Sequence, residues 1–371
     1  MKLSIDRAAL LRALNHIQSV VERRNTIPIL SNVLMRGEDG VLSMTATDMD
    51  LEINESVAAN VATAGAITAP AHTLHDIVRK FPDGSEVEIE LNKEGTQITV
   101  RAGRSQFKLS CLPVADFPAI GAGELPQSFA IPAASLRALI DRTRFAMSTE
   151  ETRYYLNGIY LHEADQEGVK VLRAVATDGH RLARFEMPLP EGATAMPGII
   201  VPRKAIQELR KLSDDAADTI KISLSESKIR FEFDHIVLTS KLIDGKFPDY
   251  ERVIPKGNDK IVECDPKMFT GAIDRVSTIS DGKSRAVKIA LQGKQMTISA
   301  SSAEAGSATE QMEVNGDTDI EIGFNAKYLL DITSQISGEG CRLTLADAAS
   351  PTIIQDNSDL SALYVLMPLR V

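Results

Sequence analysis

Tryptophan is absent and aromatic residues make up only 5% of the chain, which argues against a stacking platform for single-stranded nucleic acid. Cysteine is nearly as scarce. Cys111, Cys264 and Cys341 lie far apart without C-x-x-C spacing, so neither a disulfide framework nor a thiolate metal site is indicated. No apolar run approaches the roughly 20 residues needed to span a bilayer. The opening Met1-Lys2-Leu3-Ser4-Ile5-Asp6 lacks the apolar core of a signal peptide. A cytoplasmic protein that avoids membranes is expected. No glycine-rich phosphate loop and no ligand-spaced histidine cluster occurs, so no metal or cofactor is expected. Asp178-Gly179-His180-Arg181 does hold an acid and a base. A catalytic triad, however, is built by convergence of distant segments, and an enzyme is not expected. Net charge is −10, which opposes phosphate binding unless the cations are segregated.

What is present is repetition. The 371 residues are enough for two or three domains. Val41-Leu42-Ser43-Met44-Thr45-Ala46-Thr47-Asp48 returns as Val171-Leu172-Arg173-Ala174-Val175-Ala176-Thr177-Asp178. Ser110-Cys111-Leu112 with Phe117-Pro118 returns as Ser240-Lys241-Leu242 with Phe247-Pro248, at the same offset. A fainter third copy runs through Gln295-Met296-Thr297-Ile298-Ser299-Ala300-Ser301. Each copy opens on an apolar-periodic helix, around Leu10 and Leu14, Leu136 and Ile140, or Phe269 and Ile273. A second helix follows Ala69-Pro70, Val201-Pro202 or Phe324-Asn325, the prolines suiting a first turn. Alternating strands come next at Val87, Ile89 and Leu91, at Ile220, Ile222 and Leu224, and at Cys341, Leu343 and Leu345. The expectation is an α+β protein of three repeated domains, 1–126, 127–256 and 257–371, each with two helices packed on antiparallel sheet.

The six expected helices carry fourteen cationic and seven anionic residues, so the rest of the chain is strongly acidic. If the helices share one surface, that surface is positive and suits non-specific contact with duplex phosphates. Ordinary solvated helix faces are the alternative for each helix taken singly.

Several motifs resemble those of the bacterial DNA polymerase III β subunits, the sliding clamps. They are Arg153-Tyr154-Tyr155-Leu156-Asn157-Gly158, Thr177-Asp178-Gly179-His180-Arg181-Leu182-Ala183, Val201-Pro202-Arg203-Lys204, Phe247-Pro248-Asp249-Tyr250 and the closing Tyr364-Val365-Leu366-Met367-Pro368-Leu369-Arg370-Val371. Order and spacing agree along the whole chain. The resemblance implies a head-to-tail homodimeric ring with helices lining the hole. Such a ring encircles double-stranded DNA as a non-catalytic processivity factor for DNA replication. The implied partners are duplex DNA, a second copy of the chain, the DNA polymerase III catalytic subunit, the clamp loader, and other polymerases and repair proteins carrying clamp-binding peptides.

The resemblance also implies a partner-peptide pocket of Leu156, Thr177, Gly179, His180, Arg181, Leu182, Pro248, Arg252, Val253, Val365, Leu366, Met367, Pro368, Leu369 and Arg370. An apolar groove with a flexible methionine suits several related peptides, and Arg or His at its rim can orient them. Plain strand core is the other reading of Val365 to Met367. For DNA the resemblance points to Arg24, Tyr154 and Tyr155. Helix charge adds Arg137, Arg142, Lys204, Arg210 and Lys211. For the dimer seam it points to Phe107 on an edge strand and Ile279 beside a helix end. A non-DNA scaffold built from the same repeat remains the rival class, and the helix charge and the run of motifs weigh against it.

Overall fold

The computed structural model describes residues 1–23, 26–121, 123–214, 218–280 and 285–370. Six α-helices are present among them: α1 Arg7–Gln18, α2 Ala71–Lys80, α3 Ala133–Thr143, α4 Arg203–Leu212, α5 Pro266–Ser277 and α6 Ala326–Thr333. Side-chain caps fix where three of them begin, α1, α5 and α6. Asp6 accepts the Ala9 N–H at 2.9 Å, Asp265 accepts from Lys267 and Met268, and Asn325 accepts from Tyr328. Each side chain thereby satisfies donors that the first helical turn cannot pair internally. The prolines behave differently from the expectation. Pro70 and Pro202 end the strands Gly65–Pro70 and Ile199–Pro202, one residue ahead of α2 and α4.

The chain forms two compact units. One comprises Met1–Leu136, Pro190–Ala193 and Lys204–Leu242; the other comprises Arg137–Leu189, Thr194–Arg203 and Ile243–Val371. The middle repeat is therefore shared between them. The reason lies in strand pairing between repeats. In the first unit, Leu51–Ala58 of the first repeat pairs with Ile236–Lys241 of the second, from Leu51 opposite Ser240 to Glu55 opposite Ile236. In the second unit, Arg181–Pro188 pairs with Asp359–Leu366 of the third repeat, from Arg181 opposite Leu366 to Phe185 opposite Ala362. Each junction thus closes an eight-stranded antiparallel sheet.

The first unit also holds a five-stranded sheet, ordered Asn60–Thr63, Lys2–Asp6, Glu86–Leu91, Gln97–Ala102 and Ser105–Ser110. The second holds a four-stranded sheet, ordered Gly306–Glu313, Gln295–Ser302, Ala286–Gln292 and Ile320–Asn325. The apolar stripe of α1 (Leu10, Ala13, Leu14, Ile17) is wholly buried, as is that of α5 (Phe269, Ala272, Ile273, Val276). Fully removing a Leu, Ile, Val or Phe side chain from water contributes about 1.5–3 kcal/mol, which is why these faces anchor their repeats.

Candidate peptide patch and its surroundings

The recurring Thr-Asp has a local cause. In the turn after strand Val169–Thr177, the Thr177 hydroxyl donates to the Arg181 carbonyl at 2.7 Å and accepts the Gly179 N–H at 3.1 Å. The Asp178 carboxylate accepts the N–H groups of His180 and Arg181 at 2.9 and 3.0 Å. Gly179 sits at φ +89°, where a side chain is strained. The first repeat builds the same turn: Met49 N–H meets Thr47, while Asp50 and Leu51 meet Asp48. The acid in this motif is spent on backbone and on the Arg181 guanidinium, so it is not paired with His180. His180 is exposed and stacks on Tyr328 with ring centroids 6.2 Å apart.

Around this turn the second unit assembles an apolar cluster from six separate segments. Leu156, Val175, Leu182, Ile200, Phe247, Tyr250, Leu363 and Val365 are buried in it, and Tyr155, Tyr160, Ile243, Ile254 and Ile353 pack on it half-exposed. Tyr160 lies nearly parallel to Phe247, 4.8 Å between centroids and 7° between planes. Beside the cluster residues in sequence come exposed apolar groups: Pro248, Val253 at 50% and Met367 at 40% exposure. The Met367 N–H donates to the His180 carbonyl at 3.0 Å, fixing the chain end beside the turn. Arg252 is well exposed and pairs with Asp249 at 2.7 Å.

Leu156, Leu182 and Val365 are thus brought together, and four expected pocket positions, Arg181, Leu366, Leu369 and Arg370, lie elsewhere. Arg181 is buried, not at a rim. Its guanidinium donates to Asp178, to Asp331 at 2.5 Å and to the Phe145 carbonyl at 2.6 Å, and lies 4.3 Å from the Tyr328 ring centre. Leu366 is fully buried on the opposite face of its strand from Leu363 and Val365, the face on which Tyr364 meets the Phe145 ring. Leu369 donates its N–H to Gly323 on the edge of the four-stranded sheet. With Arg370 it lines a groove of about 1040 Å³ along that sheet. Pro368 is half-buried between these two places. Val175, Ile200, Phe247, Tyr250, Tyr160 and Leu363 were missed as contributors. For Val175 and Leu363 the signal was available, because each stands two residues from a named residue on the same strand face.

Tyr155 belongs to the cluster rather than to a free DNA surface, and Tyr154, 53% exposed, stands edge-on to it. Arg24 lies outside the described residues. The expected helix cations are largely engaged. Arg142 is mostly buried and pairs with Asp359 at 3.1 Å, which removes it from any open surface. Lys204 pairs with Asp48 at 2.5 Å and Glu22 at 3.4 Å. Arg210 meets Asp214 at 2.5 Å, and Arg137 also has interactions of its own. Lys211 keeps 60% of its side chain exposed while touching Glu208 at 2.8 Å. Phe107 is 40% exposed on the edge strand Ser105–Ser110 and packs on Phe81. Ile279 is half-buried just past the end of α5. Among the described residues no group of acidic, histidine and cysteine side chains could hold a metal, and no helix is long and apolar enough to cross a membrane.

Comparison with known families is decisive. Residues 1–121 match the N-terminal domain of the DNA polymerase III beta subunit, 130–249 its central domain and 251–370 its C-terminal domain. The chain belongs to the DNA polymerase III beta subunit family. It is 54% identical to the beta sliding clamp of Caulobacter vibrioides over 372 residues, all of both chains. It is 38% identical to that of Escherichia coli K12, again over the full length of both. A crystallised C. crescentus beta sliding clamp with PEG bound superimposes with a TM-score of 0.98 at 53% identity, covering 100% of this chain and 99% of that one. The Bartonella birtlesii DNA polymerase III subunit beta, bound to griselimycin, gives 0.97 at 48% identity, with both chains fully covered. The beta subunit family comprises sliding clamps, so the chain serves as a non-catalytic processivity subunit in DNA replication. Its three beta-clamp domains are α+β with antiparallel sheets.

Proposed function

We propose that two copies close head to tail into a ring around duplex DNA, with the helices of domains 1–126, 127–256 and 257–371 lining the hole. The observation that carries this reading is a pair of unpartnered sheet edges. Strand Ser105–Ser110 ends the five-stranded sheet of the first unit, and its side chains are exposed except at Leu109, which is half-buried. Strand Gly306–Glu313 ends the four-stranded sheet of the second, also largely exposed. Each edge offers a row of free backbone donors and acceptors that the other edge, on a second copy, satisfies. A head-to-tail contact of this kind closes into a ring when the rotation permits. Phe107 and Ile279 supply the apolar part of the seam.

The apolar cluster receives clamp-binding peptides from the polymerase catalytic subunit, the clamp loader, and other polymerases and repair proteins. Half-exposed Tyr155, Tyr160, Ile243 and Ile254 form its receiving surface, with Met367 as its adaptable edge. Arg24, Tyr154 and Lys211 remain the DNA-facing candidates.

Retention on DNA is topological. A net charge of −10, with the helix cations mostly ion-paired, gives weak phosphate attraction that salt screens. After loading by the cognate loader and ATP, the protein stays on nicked circular duplex through a high-salt wash. Cutting the circle once releases it over the ends. Equal retention on circular and open linear DNA after the wash would leave a conventional DNA-binding protein in place of a clamp.

A further inference from the structure

Tyr250 faces two ways. Its ring is buried in the apolar cluster, edge-on to Phe247 at 6.4 Å, while its hydroxyl enters a polar network behind the cluster. The hydroxyl accepts from Arg173 Nη1 at 2.8 Å and lies 2.9 Å from His162 Nε2. His162 Nδ1 lies 2.8 Å from the Glu163 carbonyl. For a neutral imidazole the neighbours fix the tautomer. A carbonyl only accepts, so Nδ1 carries the hydrogen. A guanidinium only donates, so the Tyr250 oxygen accepts from Arg173 and gives its own hydrogen to Nε2. With a neutral imidazole every hydrogen in this chain meets an acceptor. His162 also reaches the cluster through Tyr160, whose ring lies 4.6 Å from the imidazole and 4.8 Å from the Phe247 ring.

We propose that His162 and Arg173 are positioning residues for the peptide patch, acting through the Tyr250 hydroxyl, so that partner peptides are held best while His162 is neutral. The inference rests on the assignment of the apolar cluster as the peptide site. Arg173 is almost fully buried. It anchors the segment carrying Tyr250 by pairing with Glu251 at 2.7 Å and with Glu186 at 2.6 Å. Protonating His162 places a second donor against a hydroxyl that already accepts from Arg173, and the tyrosine hydrogen loses its acceptor. The hold on the Tyr250 ring weakens, and with it the hold on the Tyr160–Phe247 stack beside it.

The charged groups facing the imidazole are Arg173, which opposes protonation, and Glu186 and Glu251, which favour it. Arg184 contacts Glu186 in the same network, and the Glu163 carboxylate is turned to Lys170 and the Ala195 N–H. Burial, the largest influence, holds the imidazole below its ordinary value. The sign follows. The neutral form is favoured by the fold, so the clamped state is complete near neutrality and is lost as pH falls through that lowered value.

The test is the affinity of the full-length protein for a fluorescent clamp-binding peptide from the polymerase catalytic subunit, measured from about pH 7.5 to about pH 5. The parent loses roughly threefold to tenfold in affinity over this range, the loss expected for one hydrogen bond. Tyr250→Phe and His162→Phe flatten the profile, and combining them adds little to either alone. His180→Gln keeps the slope, which separates the buried histidine from the exposed one. Melting and sedimentation at each pH show whether the dimer persists. If His162→Phe does not fold, Tyr250→Phe carries the test by itself. An unaltered slope in the Tyr250 and His162 variants, or its loss in His180→Gln, overturns the proposal. Absence of peptide binding by the parent near pH 7.5 overturns the site assignment instead, a distinguishable result.

Discussion

Arg181 shows how one residue can keep its place in a motif and change its role in space. In the sequence it follows His180 and promises a cation at the mouth of a peptide groove. In the structure its side chain is 8% exposed, it holds two carboxylates and a carbonyl, and it stacks on two rings. Removing one partner of a buried ionic network strands the others. Arg181→Met should therefore lower stability by about 2–4 kcal/mol, read as a drop in denaturant midpoint. Peptide affinity of the fraction that remains folded should change little. A rim residue would give the reverse pattern, with weaker peptide binding at unchanged stability. Thr177 and Asp178 repeat the lesson more simply: their recurrence marks a turn that two repeats close in the same way.

Elements were legible wherever one face is wet. Strand Glu86–Leu91 alternates as read, with Val87 and Ile89 buried and Glu86 and Glu88 exposed. The last strand, Asp359–Leu366, is buried on both faces over its second half, Ala362 to Leu366. Alternation is therefore silent there, and the sequence could not show that Val365 faces the patch while Leu366 faces away. Beyond that strand the chain end is tied by the bonds of Met367 to His180 and Leu369 to Gly323. Deleting Met367 to Val371 should abolish polymerase-peptide binding and leave dimerisation and melting nearly unchanged, as peptide titration and calorimetry would show. Loss of fold along with binding would make these residues structural first.

At the scale of the whole molecule, the assembly depends on edges that one copy leaves open. Ile279 is half-buried beside the end of α5, and a carboxylate there would lose its water in a seam with no matching cation named for it. Ile279→Asp should give monomers by sedimentation at concentrations where the parent is dimeric, with each copy still folded. A fully dimeric variant would place the seam elsewhere. The helix charge belongs to this scale too. Fourteen cations against seven anions on the expected helices suggested a modestly positive lining. The ion pairs of Arg142, Lys204, Arg210 and Lys211 show much of that charge answered in place.

Triplication, the α+β class and the family were legible along the chain, because each rests on local pattern: a shared offset, a period, a run of motifs. Which apolar residues converge on one patch, which charges are paired, and how the middle repeat is divided emerge only on folding. Those outcomes depend on strand pairing between positions up to 190 residues apart, such as Leu51 with Ser240 and Arg181 with Leu366. Pairing sets register, and register chooses the face on which every side chain stands.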